Sequence, residues 1–238
     1  AYSITDDDEA RRAYAVIVTW FVSVTTFVVA GMWLLSRWIV RALAAPEFFG
    51  AHKPIGLIAA AVTLYALYMV LVVILGRTGR TELNLPAAIA GLIANVALNL
   101  LLVPPLGIVG AGIALVASYL IVLALMYGFT QHLFPVPYEW GRLARVVLAS
   151  AALVGLGEWL LPTSGLAGFA TRAVLWLAYP ALLLVTGFFT AEERGWLARL
   201  RRPRALLAGL RAARPEPAVE GVVPEAYEIE LIDEDSRL

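Results

Sequence analysis

Three asparagines, Asn84, Asn95 and Asn99, sit in a stretch from Leu83 to Tyr138 that holds no formally charged residue. With Ala88 and Gly91 they recur at spacings of 4, 3, 4 and 4, which places all five on one face of a helix. A side-chain amide offers two donors and a carbonyl acceptor, and among apolar side chains it needs partners. Two kinds of partner fit. The amides bond to a neighbouring helix, at about 0.6 kcal/mol per contact, or they line a hydrated hollow that carries a polar solute. Either way the face is expected to turn inward. Glu158 and Arg172 are the other polar groups in apolar surroundings. Antiparallel helices would bring them together as an ion pair; otherwise each snorkels to the headgroups, or serves ion coupling or phosphate contact. Covalent chemistry has little to work with. There is no Cys, and the two imidazoles, His52 and His132, lie far apart in the chain. No phosphate-binding Gly-rich Lys loop is present. The run Asp6-Asp7-Asp8-Glu9 reads as a solvated charge run rather than a metal site. No catalytic residue, cofactor or metal is expected, and the chain is not expected to be an enzyme.

The elements that would hold these groups follow from composition. Hydrophobic residues make up 61% of the 238 and charged residues 15%, with 18 basic and 18 acidic side chains in balance. Soluble domains carry about 45–50% apolar and about 25% charged residues. The departure points to lipid and away from a soluble enzyme, a nucleic-acid binder or a disordered regulator. A helix needs about 20 apolar residues to cross about 30 Å of hydrocarbon. Six such spans are expected, at about 13–36, 54–76, 83–103, 106–131, 143–161 and 166–189, the third and fourth divided at Pro104-Pro105-Leu106-Gly107. Lipid cannot satisfy a backbone, so the spans are helices, and their unbroken apolar runs do not suit a barrel. The expected fold is all-α, a polytopic membrane bundle of six transmembrane helices.

Within that bundle Gly107, Gly110 and Ser118, with Ala111 and Ala114, read as a packing face on the fourth span. Pro180 should kink the sixth and free the carbonyl of Trp176, either as a hinge or as a simple bend. Trp20, Trp140 and Trp159 suit the interface or the lipid-facing surface. Residues 36–45, with Arg37 and Arg41, either extend the first span or lie in the interface. Residues 1–12 form an acidic leader, 191–214 a basic amphipathic tail and 215–238 an acidic tail that reads as disordered. Arg11, Arg12, Arg77, Arg80, Arg142 and Arg145 flank one side of the spans, against Arg37, Arg41 and Lys53 on the other. By the positive-inside rule the first side is cytoplasmic, with both termini there.

The segment from Asn84 to Tyr127 carries a resemblance. It contains Asn95-x3-Asn99-Leu-Leu-Leu-Val-Pro104, then Gly107-Ile-Val-Gly110-Ala-x-Ile-Ala114, then Ser118-Tyr119. This resembles the late paired helices of bacterial O-antigen and capsule-type flippases, within the multidrug/oligosaccharidyl-lipid/polysaccharide exporter superfamily. Pro105, Leu106, Gly112 and Leu115 depart from residues common in that family. The resemblance implies the second lobe, plus two extra helices, of a transporter whose first eight helices lie outside this chain. The chain, which opens on Ala1, would then be a C-terminal portion. It further implies an inner-membrane protein that flips polyprenyl-pyrophosphate-linked oligosaccharide for surface polysaccharide biosynthesis. Its partners would be membrane lipids, that substrate, the preceding helices and a polysaccharide polymerase or synthase. Alternatives of other kinds stay open: export of a lipid-linked peptidoglycan precursor or a cationic drug, or a non-transport scaffold.

Overall fold

A computed structural model describes residues 6–190 and Glu193. The expected basic and acidic tails lie almost wholly outside the described residues. The chain divides into two units, Ala1–Phe188 and Phe189–Leu238. In the second, the Thr190 amide donates to the Glu193 carboxylate and the Glu193 amide to the Thr190 hydroxyl.

The protein is all-α, with no strand among the described residues. α1 runs Asp7–Leu43, α2 His52–Arg77, α3 Asn84–Leu106, α4 Ile108–Leu133, α5 Trp140–Leu160, α6 Gly165–Leu177 and α7 Tyr179–Val185, with short 3-10 turns at Pro46–Ala51 and Thr81–Leu83. With the 3-10 turns and the α6–α7 pair joined on, these give six stretches long and apolar enough to cross a membrane. Their free faces agree with that: Leu85, Ile89, Leu92, Ile93, Val96, Leu100 and Leu101 of α3 are all exposed, an apolar surface too extensive for a water-soluble monomer. The chain is a multi-pass membrane protein. Trp140 and Trp159 lie on its outer surface, while Trp20 sets its edge on Phe188.

The first span begins earlier than its apolar core. Asp6 caps α1, its carboxylate accepting from the Asp8 amide at 2.9 Å. Asp7, Asp8 and Glu9 then occupy the first turn, where the helix dipole favours negative charge. From Asp7 onward the expected leader is the start of α1; Asp7 and Asp8 stay solvent-exposed, as expected of a solvated run, while pairing with Arg77 and Arg11. At its far end α1 continues through Arg37 and Arg41, so residues 36–43 extend the span.

The break falls inside the expected Pro104-Pro105-Leu106-Gly107 run, but at its glycine rather than at the prolines. α3 runs through Pro104 and Pro105 to Leu106, and the chain turns at Gly107. Proline adopts helical φ readily; what it costs is a donor and room for the carbonyl four residues back. In this last turn Pro104 and Pro105 still forgo the bonds to the Leu100 and Leu101 carbonyls, yet the helix runs on through them. Gly107 takes φ 58° and ψ −140°, a conformation closed to side-chain-bearing residues without strain.

Laterally, α3 packs on α4, α4 on α2, α2 on α1, and α1 on α5 and α6, with α7 against α5. Short connections make successive spans antiparallel. The proximal end of this row holds Asp7, Arg77 and Trp140; the distal end holds Leu43, Gly107 and Gly165. The proximal end is tied by Phe134, which lies under the guanidinium groups of Arg11 and Arg77, 4.8 and 5.8 Å from the ring centroid, and meets the ring of Tyr14 edge-on.

Candidate functional site

The Asn-bearing face of α3 does not point squarely into the bundle. Ala87 and Gly91 are its buried residues; Asn84, Asn95 and Asn99 are half-buried and Ala88 is exposed. The seam against α4 is set by close approach of Gly91 to Val122. That rotation leaves the amides on the flank of the seam. There Asn95, with Tyr68 of α2 and Ser118 and Tyr119 of α4, lines a hollow of about 290 Å³, with Ala88 and Leu92 along its side.

Each asparagine solves its polar problem differently. Asn84 accepts from the Tyr68 hydroxyl at 2.7 Å, an interhelical bond. Asn99 turns back on its own helix, donating to the Asn95 backbone carbonyl at 2.8 Å and to its side-chain oxygen at 3.2 Å. Asn95 is thereby left with an amide nitrogen that has no hydrogen-bond partner among the described residues. Three phenols continue the groove: the Tyr65 ring lies 6.0 Å from that of Tyr68 and 5.5 Å from that of Tyr119. The Tyr119 hydroxyl likewise has no partner among the described residues, while Ser118 donates to the Ala114 carbonyl at 2.6 Å. The site thus offers free amide and phenol donors and flat aromatic faces at the depth of the apolar helices. Tyr65 and Tyr68 share a face of α2 at a spacing of three, but nothing in the sequence joins them to Tyr119 or Asn95; they converge only because α2, α3 and α4 pack together.

Glu158 and Arg172 come together near the distal end. Arg172 Nη1 donates to Glu158 Oε1 at 2.6 Å, and the arginine is 1% exposed. Its guanidinium also serves three backbone carbonyls: Nε donates to Pro162 at 3.0 Å, Nη1 to Leu34 at 3.3 Å and Nη2 to Leu161 at 3.4 Å. The α5–α6 turn, whose carbonyls have no helical partner, is therefore closed by this one side chain. Arg37, His52 and Lys53 line a hollow beside the pair.

The packing residues fall at two seams. Gly107 is the α3–α4 turn; a Cβ on Gly110 would strike the Leu102 carbonyl, so the hairpin closes only with hydrogen there. Pro180 is the second residue of α7, and the sixth span is parted at Ala178 rather than bent through one continuous helix. The parting docks on α1. The Trp176 indole donates to the Phe27 carbonyl at 2.9 Å and stacks on the Phe27 ring, and the Tyr179 hydroxyl lies 2.9 Å from that of Thr26. α7 ends at Val185, short of the expected 189.

Among the described residues no group of three or more His, Asp or Glu side chains could hold a metal. No family model, curated protein or solved structure matches the chain.

Proposed function

We propose that this chain moves a lipid-linked oligosaccharide across a bacterial inner membrane, as part of a flippase for surface polysaccharide. The observation that carries the reading is the groove between α2, α3 and α4, where the unbonded Asn95 amide faces a hollow walled by Tyr68 and Tyr119. Hydroxyl-rich sugars take amide and phenol hydrogen bonds and rest their C–H faces on aromatic rings. A groove with these groups along apolar helices lets a glycan pass while its lipid tail stays in hydrocarbon. The likeness of Asn95 through Tyr119 to the late helix pair of such transporters supports the same reading. The proximal end is then cytoplasmic, because it gathers the arginines of the short loops, and the groove works against a preceding lobe by alternating access. A pyrophosphate-borne substrate leaving a negative interior with two charges gains roughly 4.6 kcal/mol per 100 mV, so the potential can drive export.

The test is translocation of a fluorescent lipid-linked oligosaccharide in vesicles, read by accessibility to an external lectin. Asn95→Leu should slow it about tenfold or more, as loss of a polar contact that the site is built to make. Asn99→Leu should slow it less, since that amide is spent inside α3. Equal translocation by wild type and Asn95→Leu overturns the reading.

A further inference from the structure

The distal hollow beside the Glu158–Arg172 pair has a charge pattern of its own. It measures about 200 Å³ and is lined by Arg37, His52, Lys53, Glu158 and Arg172. Arg172 and Glu158 neutralise each other, and the arginine's donors are taken up by Glu158 and the carbonyls of Leu34, Leu161 and Pro162. They form a fixed, neutral wall. Arg37 and Lys53 differ: neither makes an ion pair or hydrogen bond among the described residues. His52 places Nδ1 2.6 Å from the Phe49 carbonyl, which can only accept, so Nδ1 carries the hydrogen and Nε2 remains for another partner. The first turn of α4, at Val109, also borders the hollow. Helix beginnings present positive partial charge. The start of α2, at His52 and Lys53, adds no free amide of note, since the His52 N–H bonds to the Phe49 and Gly50 carbonyls and Pro54 has none. Two uncompensated cations and the first turn of α4 around one small volume make a positive potential that favours an anion there.

We propose that this hollow binds a dianionic terminal phosphate, of the phosphate-monoester class. The uncompensated charge is +2, from Arg37 and Lys53. That matches a doubly charged terminal phosphate better than a phosphodiester headgroup or a carboxylate, each of which carries one charge. Arg37 supplies a planar fork for two phosphate oxygens and Lys53 a point charge for the third. The position, at the end of the apolar helices, admits such a phosphate either on a lipid or free from water. The proposal does not depend on the glycan groove, which is lined by α2, α3 and α4 and shares no residue with this hollow.

The experiment uses the full chain in phosphatidylcholine nanodiscs. Short-chain phosphatidic acid and phosphatidylglycerol are titrated separately and bound lipid is read by native mass spectrometry; radiolabelled inorganic phosphate is titrated in parallel. Phosphatidic acid should bind about tenfold or more tightly than phosphatidylglycerol, and Arg37→Gln or Lys53→Gln should each weaken it about tenfold or more, the scale of a lost charged hydrogen bond. Arg37→Lys should recover part of the loss. Inorganic phosphate with the same dependence on Arg37 and Lys53, and no lipid selectivity, assigns the site to the free ion. Equal binding of the two lipids without phosphate binding, or binding indifferent to both substitutions, overturns the proposal. Thermal unfolding of each variant guards against misfolding, and Lys53, an exposed side chain, carries the test if Arg37→Gln unfolds. Asn95→Leu should leave phosphate binding unchanged, so loss of transport and loss of this site separate.

Discussion

Arg172 is the largest fully buried side chain among the described residues, and its environment sets an order of effects. Removing one partner of a buried pair costs about 3–5 kcal/mol when the other is left enclosed. Arg172→Gln orphans three carbonyls and a carboxylate at once, so a loss near the lower part of that range is expected. Glu158→Gln keeps an acceptor in place but leaves the enclosed guanidinium without its counter-charge, so it should cost at least as much, about 3 kcal/mol or more. Thermal unfolding in detergent reads both, and a much smaller loss from Glu158→Gln would mean that the three carbonyls alone hold the charge. Tyr138 presents the opposite case. Its hydroxyl is buried with no partner among the described residues, and burial pushes the phenol up. Tyr138→Phe should be neutral or stabilising by up to about 1 kcal/mol. In the wild type the folded phenol stays protonated where the unfolded one ionises, near pH 10. Stability is therefore complete below that value and falls as pH climbs toward the raised folded one, a fall that Tyr138→Phe should reduce. The sequence pointed to the Arg172–Glu158 pair because charge in an apolar run is costly. It gave no sign of the Tyr138 orphan, whose surroundings come from distant segments.

At the scale of elements, the α3–α4 hairpin depends on glycine more than on proline. Gly107→Ala forces a side chain into φ 58°, ψ −140°, at about 1–3 kcal/mol. Gly110→Ala drives a Cβ into the Leu102 carbonyl and should cost a similar amount through overpacking. Pro105→Ala should be neutral or slightly stabilising, since it restores a donor for the Leu101 carbonyl in the final turn. Melting temperatures of the three variants, measured in one detergent, check the contrast; equal loss from Pro105→Ala would restore the prolines as the break. The PPLG run marked the turn to within a few residues, but propensity alone could not say which residue reverses the chain. The parting of α6 from α7 was legible from Pro180. Its anchoring by Trp176 and Tyr179 on Phe27 and Thr26 was not, because those partners lie some 150 positions away.

The whole molecule makes a topological prediction. Arg80 lies in the proximal connection between α2 and α3, and Thr163 in the distal connection between α5 and α6. Single cysteines at these positions, in a chain that has none of its own, should react with an impermeant maleimide from opposite faces of sealed vesicles. Labelling of both from one face would contradict the antiparallel row. The α3 edge is the least covered stretch of that row: a 22% or larger share of the best apolar window is buried in each of the other five, against 11% in α3. Lipid or another protein surface must therefore meet this edge, beside the groove that holds Asn95.

The sequence by itself determined that the chain is helical, how many times it crosses and where within a few residues each crossing lies. The reason is that hydrocarbon thickness sets a minimum length and an unsatisfied backbone in lipid allows no alternative. It raised a Glu158–Arg172 pair as one of several outcomes for two costly charges, and the packing of α5 on α6 decided for it. Only the tertiary structure decided which way each helix face turns. The close approach of Gly91 to Val122 sets the azimuth of α3 and leaves Asn95 on the flank of its seam beside Tyr68 and Tyr119. The same packing brings Arg37, His52 and Lys53 from two helices to one hollow. Helical period fixes which residues share a face; the facing direction depends on side chains contributed by other helices, which no local pattern contains.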